Sequence, residues 1–265
     1  SGAGLVNSLG LAMRSKGRVG DPLPCPWPQL EMMRAFLRRG QISLLAGASG
    51  GGKTAFMTNW VLNGMYDDIH PIPTLYFSSD SDQFTVGSRV AQAVLKCSQD
   101  EAEDQLSKSW NVFHEATAHV WWDWKVGPTL ADYDAEIDAY AMVNGEYPHL
   151  VVIDNLMDTD AGYSADEGSN QREALLWGAS KARETGAHVA FLHHVTGPNV
   201  RGDQPIGIDG IMNKVDKRAR LILTFHQDTV GFLNVSVVKN SLGPKATDGS
   251  WFSSLPWLPE RGWFG

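Results

Sequence analysis

The sequence predicts an α/β protein of three layers, helix, sheet and helix, with a mostly parallel sheet and an antiparallel hairpin at its C-terminal end. Three observations carry this. Short apolar runs alternate with amphipathic helical patterns from residue 41 to residue 194. A glycine-rich turn joins the first strand to the helix after it. Beyond residue 218 the helical patterns stop, and two strand-like runs face each other across a tight turn. Strands separated by helices cross over to pair in parallel and put helices on both faces, whereas strands a few residues apart pair antiparallel.

Taken in order, "DPLPCPWPQLEM" reads as a proline-rich linker, because each proline locks its own backbone and restricts the residue before it. Residues 1–30 are therefore an arm and linker, and 31–265 the folded domain. "LEMMRAFLRRG" has helical spacing and a glycine stop, "QISLLAG" is a buried strand, and "KTAFMTNWVLNGMY" a helix. "PTLYFSSD" is a second strand, "QFTVGSRVAQAVLKC" a helix and "QDEAEDQLSKS" a short acidic helix. "WNVFHEATAHVWWDW" mixes aromatic and β-branched residues, and "TLADYDAEIDAYAMVNG" is amphipathic. The strand "PHLVVIDNL", the helix "SNQREALLWGASKARETG" and the strand "AHVAFLHH" follow. "RARLILTFHQDTVGFLNVSVVKN" forms the hairpin, and "GSWFSSL" adds an edge strand. No internal repeat is visible.

The totals narrow the function classes. With 265 residues, 43% of them hydrophobic, the chain is long enough for one well-buried core. Its longest apolar runs fall far short of the roughly 18 residues a membrane helix needs. Basic residues follow the weak apolar patch near the start, the reverse of a secretory signal. Cys25 and Cys97 lie far apart without ligand-type spacing, so neither a disulfide framework nor a zinc site is expected, and a reducing, cytoplasmic compartment fits. The formal charge of -8 argues against a surface that coats nucleic acid indiscriminately, yet permits a local basic channel.

The chemistry concentrates in "GASGGGKT", residues 47–54. Gly47, Gly52, Lys53 and Thr54 match G-x-x-x-x-G-K-[ST], and Ser49, Gly50 and Gly51 complete a loop whose backbone N–H groups cradle phosphates at a helix N-terminus. Lys53 is placed to reach the β- and γ-phosphates of ATP, and the Thr54 hydroxyl to ligate Mg2+. A second acid must hold that metal, and Asp154 stands at the end of the apolar run "LVVID". Asp80 ends the second strand; if that strand pairs with the first, its carboxylate orients or deprotonates the attacking water, and otherwise it is an exposed turn acid. His193 and His194 end the strand after "LVVID", with one of them facing the γ-phosphate.

The series "RRGQISLLAGASGGGKT", "LYFSSDSD", "LVVIDNL", "VAFLHHVTG" and "VVKNSLGP" resembles the RecA-like P-loop NTPase core of hexameric replicative helicases, of the DnaB and plasmid RepA types, over most of residues 31 to 255. The resemblance implies that Asp80 activates water, where the family usually has Glu, and that His194 senses the γ-phosphate. It also implies that a cation from the neighbouring subunit stabilises the transferred phosphate. Lys239 occupies the position of the family's lysine, but Ser241 stands where its arginine would be; Arg218 or Arg220 is the substitute candidate. Such a cation accelerates hydrolysis by about 10³-fold or more, so a monomer should be a weak ATPase.

In such rings the loop after the sensor strand points into the central channel. Here it carries Arg201, Lys214 and Lys217, which on one reading belong to a mobile loop that tracks a phosphate backbone and on the other to a solvated surface loop. The loop after the metal strand is acidic. Trp121, Trp122 and Trp124 either stack on bases or, as we favour, pack in the core or between subunits. The leading expectation is an ATP-driven motor on single-stranded DNA, working as a homo-oligomer, most simply a hexamer, with replication proteins as further partners and no membrane. A recombinase-like filament ATPase and a non-motor regulatory ATPase are the alternatives.

Overall fold

The computed structural model describes residues 19–67, 69–108, 110–162, 167–214 and 217–264. Residues 1–18 of the expected arm lie outside them. Strands β1 (Ile42–Gly47), β2 (Thr74–Ser78), β3 (Val120–Asp123), β4 (Leu150–Asp154), β5 (His188–His194) and β6 (Leu221–His226) run parallel. β7 (Phe232–Asn240), β8 (Phe252–Leu258) and β9 (Trp263–Phe264) continue the sheet antiparallel. The order is β3-β2-β4-β5-β1-β6-β7-β8-β9. The expected α/β class, parallel sheet and C-terminal hairpin are all present. The strand expected at "GSWFSSL" is β8, and β9 beyond it forms the edge.

Seven α-helices accompany the sheet among the described residues: α1 (Pro28–Met32), α2 (Lys53–Asn63), α3 (Gln83–Leu95), α4 (Gln99–Lys108), α5 (Trp110–Thr117), α6 (Leu130–Asn144) and α7 (Glu167–Thr185). Their ends follow from side-chain chemistry. Asp82 caps α3 by accepting from the Phe84 and Thr85 amides, and Thr129 with Asp132 forms a capping box on α6, which stops at the left-handed Gly145. On one face of the sheet α2 packs Phe56, Met57 and Trp60 against Leu45, Leu223 and Val235. On the other, α6 and α7 pack Tyr133, Ile137 and Ala174 against Val151, Val189 and Phe191. Burial on both faces explains why the parallel strands read as unbroken apolar runs.

Two expectations need correction. The helix expected over residues 30–40 is only the single turn α1. Met33, Ala35 and Leu37 are buried while Arg34 is exposed with φ 56°, and Arg38 forms an antiparallel bridge to Pro22, so the segment leaves the helix at Arg34 and buries alternate residues. The same bridge draws the proline-rich stretch onto the domain. Leu23 and Trp27 join the core, the indole of Trp27 stacking on Phe56 at 4.5 Å. The loop after β5, in turn, is anchored along its length, although Arg201, Asp203 and Lys214 on it are exposed. Ile206 and Ile211 are fully buried against β5, β6 and β7, and short 3-10 turns over Gly197–Arg201, Ile208–Gly210 and Met212–Lys214 hold its described part.

The half-buried tryptophans of β3 and just after it make packing contacts. Trp121 lies against Tyr140 on one face, and Trp122 against Tyr76 on the other, with Trp124 stacked on Trp122. Among the described residues no helix is long and apolar enough to cross a membrane.

Two buried histidines make the fold acid-sensitive. His188 donates from Nδ1 to the Arg38 carbonyl and accepts from the Ser43 hydroxyl, and burial pushes its pKa down to about 4. Burial does the same to His193, against the opposing pull of the Met212 carbonyl, again to about 4. Between the unfolded value near 6.5 and 4, the unfolded chain binds protons that the native state refuses. Stability is therefore complete above pH 6.5 and falls below it, by about 1.4 kcal/mol per pH unit for each ring. Urea denaturation from pH 7 to 4.5 should show this slope, and His188→Gln should remove about one proton's share of it. An unchanged slope in that variant would contradict the assignment.

Candidate active site

The parallel strands end together on one side of the sheet, and the residues singled out at their tips converge there. β1 delivers Gly47 into a turn in which Gly50 has φ 69° and Gly52 φ 84°, conformations that side-chain-bearing residues adopt at a cost. A Cβ on Gly51 would lie 2.9 Å from the Ala48 carbonyl, so the tight turn itself requires glycine. Gly52 is the N-cap of α2, and no side chain caps that end. The first amides of the helix are thus available to an anion, at the positive end of its dipole.

Lys53 is 7% exposed, and its Nζ donates to the Gly47 and Ala48 carbonyls at 3.1 and 2.8 Å. Burial lowers its pKa to about 8, against the pull of Asp154 and Asp80. A desolvated cation curled over a glycine loop at an uncapped helix N-terminus suits a polyanion. Thr54 donates its hydroxyl to Asp154 Oδ2 at 2.8 Å, and Tyr76 donates to the same oxygen at 3.0 Å. Burial raises the Asp154 pKa, and the two hydroxyls and Lys53 oppose that rise.

This donor set fits Mg2+. A hydroxyl whose hydrogen is committed to a carboxylate keeps its oxygen lone pairs for a hard cation. Among the described residues there is no group of three or more His, Cys, Asp or Glu able to hold a metal alone.

Asp154, Asp80, Asn155 and His194 line one cavity of about 790 Å3 with the glycine loop. Asp80 gets there by a route other than the one expected. β2 does not neighbour β1; it pairs with β4, Ser78 opposite Asp154, so β4 and β5 lie between β2 and the loop strand. Asp80 reaches the cavity past the tip of β4, where the Ser79 amide donates to the Asp154 carbonyl at 2.8 Å. Of the histidine pair, His194 faces the cavity. Its Nε2 accepts from the Asn155 amide at 2.9 Å, and burial together with Lys53 holds its pKa below the ordinary value. His193 points to the other face, where its Nε2 donates to the Met212 carbonyl at 3.1 Å.

Lys239, Arg218 and Arg220 do not join this cavity. Gly47 pairs with Phe225, whereas Lys239 pairs with Ile222, three residues back toward the opposite end of the strands, and its Nζ donates to the Lys217 carbonyl at 3.0 Å. Arg218 and Arg220 precede β6 at that same end. The three candidate phosphate-contacting cations are spread out rather than clustered. Arg201 ends the turn whose next residue, Gly202, sits against Ala48 of the glycine loop; Lys217 lies beside Lys239; and Lys214 lies between them in sequence, held at φ 49°.

Several contributors were not anticipated. Asn155 fixes His194, Tyr76 supports Asp154, and Arg89 of α3 lines the cavity together with the C-terminal turn around Trp257 and Glu260. Asn155 was findable as a polar residue directly after the metal acid. The others carry no local signal, because elements far apart in the chain bring them in.

The comparisons agree with this geometry. The gene 65 protein of Mycobacterium phage L5 is 34% identical over 260 residues, covering 92% of this chain and 93% of that protein. The gene 65 protein of Mycobacterium phage D29 is 31% identical over 229 residues, covering 82% and 95%. Among solved structures, a DnaB-like replicative helicase studied with its interactions with primase superposes with a TM-score of 0.76 at 16% identity, over 98% of this chain. This chain spans 65% of that helicase's length. The ATPase domain of G40P superposes with a TM-score of 0.77 at 16% identity, covering 100% of this chain and 98% of that domain. Residues 17–199 match the AAA domain family, and with the glycine loop and strand order in place the chain belongs to that family and has the RecA-like P-loop fold of helicase ATPase cores.

Proposed function

We propose that this chain is an ATP-hydrolysing motor on single-stranded DNA that works as a ring, most simply a hexamer, with each site completed by a neighbouring copy. The observation that carries the reading is the separation of parts. The glycine loop, Asp154, Asp80 and His194 share one cavity, while Lys239 and Arg218 lie toward the opposite end of the strands, which supports a phosphate contact made from a second copy.

Within one copy, the glycine loop and Lys53 bind the β- and γ-phosphates. Thr54, backed by Asp154, holds Mg2+, which when bound neutralises charge on the phosphate oxygens. Asp80 orients a water and accepts its proton as the water oxygen bonds to the γ-phosphorus and the bond to the bridging oxygen of ADP breaks. His194, neutral and oriented by Asn155, hydrogen-bonds the γ-phosphate and registers its departure. Arg201, Lys214 and Lys217 contact the DNA backbone, and copies repeated around a ring concentrate positive charge despite an acidic chain.

Specific ATPase activity measured against protein concentration, with and without single-stranded DNA, tests the reading. It should climb at least tenfold as copies assemble and rise again with DNA, a modest share of what a trans-acting cation supplies. One observation favours a second reading: Arg89 already places a cation in the cavity of a single copy, as a self-sufficient regulatory ATPase would. Activity independent of both concentration and DNA would select that alternative. A recombinase-like filament would instead appear as open helices by electron microscopy.

A further inference from the structure

Tyr76 sits in the middle of β2 with its side chain fully buried. Its hydroxyl and that of Thr54 both donate to Asp154 Oδ2, at 3.0 and 2.8 Å, so one carboxylate oxygen receives two donors from two different elements. The carboxylate cannot rotate without breaking a buried hydrogen bond, and Oδ1 remains for a cation or its waters. The ring is fixed from behind. Trp122 packs on it at 4.7 Å, and Trp124 stacks on Trp122 with the rings 8° from parallel. A phenylalanine would fill the same space equally well, so the hydroxyl is the part of this side chain that packing leaves unexplained.

We infer that Tyr76 is a positioning residue for Mg2+: it locks Asp154 in the rotamer that holds the cation beside Thr54, and the tryptophans of β3 lock Tyr76. The inference rests on the nucleotide and magnesium reading proposed above. Outer-shell partners of this kind alter metal affinity by about 10- to 100-fold when removed.

The test is Tyr76→Phe, followed by Mn2+ binding to the protein–ADP complex by electron paramagnetic resonance. ADP binding in EDTA and thermal melting are measured in parallel. Mn2+ affinity should fall about tenfold or more, with metal-free ADP binding unchanged within about twofold. A folded variant that binds Mn2+ as the parent does would overturn the inference while leaving the nucleotide reading intact. A parent with no nucleotide-dependent Mn2+ binding would sink both. Should Tyr76→Phe fail to fold, the parent labelled with 3-fluorotyrosine takes its place. A buried fluorine resonance must then move when Mg2+ joins the ADP complex, and a spectrum that stays still overturns the inference.

Discussion

Lys53→Ala should weaken ATP binding by about a hundredfold or more and abolish hydrolysis, because truncating one member of a buried charge pair costs about 2–5 kcal/mol. Equilibrium binding of a fluorescent ATP analogue measures the first effect and phosphate release the second. The fold should survive. In the absence of an anion the protein holds Lys53 charged in a desolvated place, which is what its lowered pKa of about 8 expresses. Alanine removes that cost along with two hydrogen bonds to loop carbonyls, so the melting temperature without nucleotide should barely change.

The same pKa sets a pH signature. Phosphates raise the pKa of Lys53 in the complex, so above about pH 8 the free protein must take up a proton to bind. Affinity then falls with rising pH, by up to about tenfold per unit. Calorimetry in buffers of different ionisation enthalpy should register that uptake in the parent. A parent with no proton uptake at pH 9 would remove Lys53 from the phosphates.

Lys239→Ala and Arg218→Ala should separate binding from turnover. Neither side chain lies in its own copy's cavity, so nucleotide affinity should stay near that of the parent. The assembled enzyme should lose about 10³-fold in turnover through whichever residue is the trans-acting cation. Mixing that variant with Lys53→Ala supplies the decisive result. In a mixed ring, some sites pair an intact loop with an intact cation, and activity should return although neither parent stock is active. No recovery in mixtures shown to co-assemble would place the cation in cis, with Arg89 as its source.

How much of this was legible in advance differs from residue to residue. The phosphate loop was fully legible, because its geometry is local: glycines at φ 69° and 84° and a helix N-terminus all lie within eight consecutive residues. Asp154 and His194 were legible as strand tips, since parallel strands of one sheet end on one side and whatever terminates them meets there. Strand order was not. The placement of Asp80 was expected from a pairing of β2 with β1, whereas β2 pairs with β4, and the acid reaches the cavity from a different direction. The segment 30–40 misled for a related reason. Its apolar residues satisfy helical spacing nearly as well as alternation, and the decision fell to the bridge from Arg38 to Pro22, a contact from outside the segment.

By itself, then, the sequence determined the class of fold, the glycine turn and the strand tips that carry Asp154 and His194, because each depends on the periodicity or backbone freedom of a few neighbouring residues. Only the tertiary structure decided which strands are neighbours, that His194 rather than His193 faces the cavity, that Asn155 and Tyr76 stand behind the reacting groups, and that Lys239 is carried away from its own site. Those facts depend on contacts between residues tens to hundreds of positions apart. Register and packing against the whole sheet set such contacts, and no short stretch of chain encodes them.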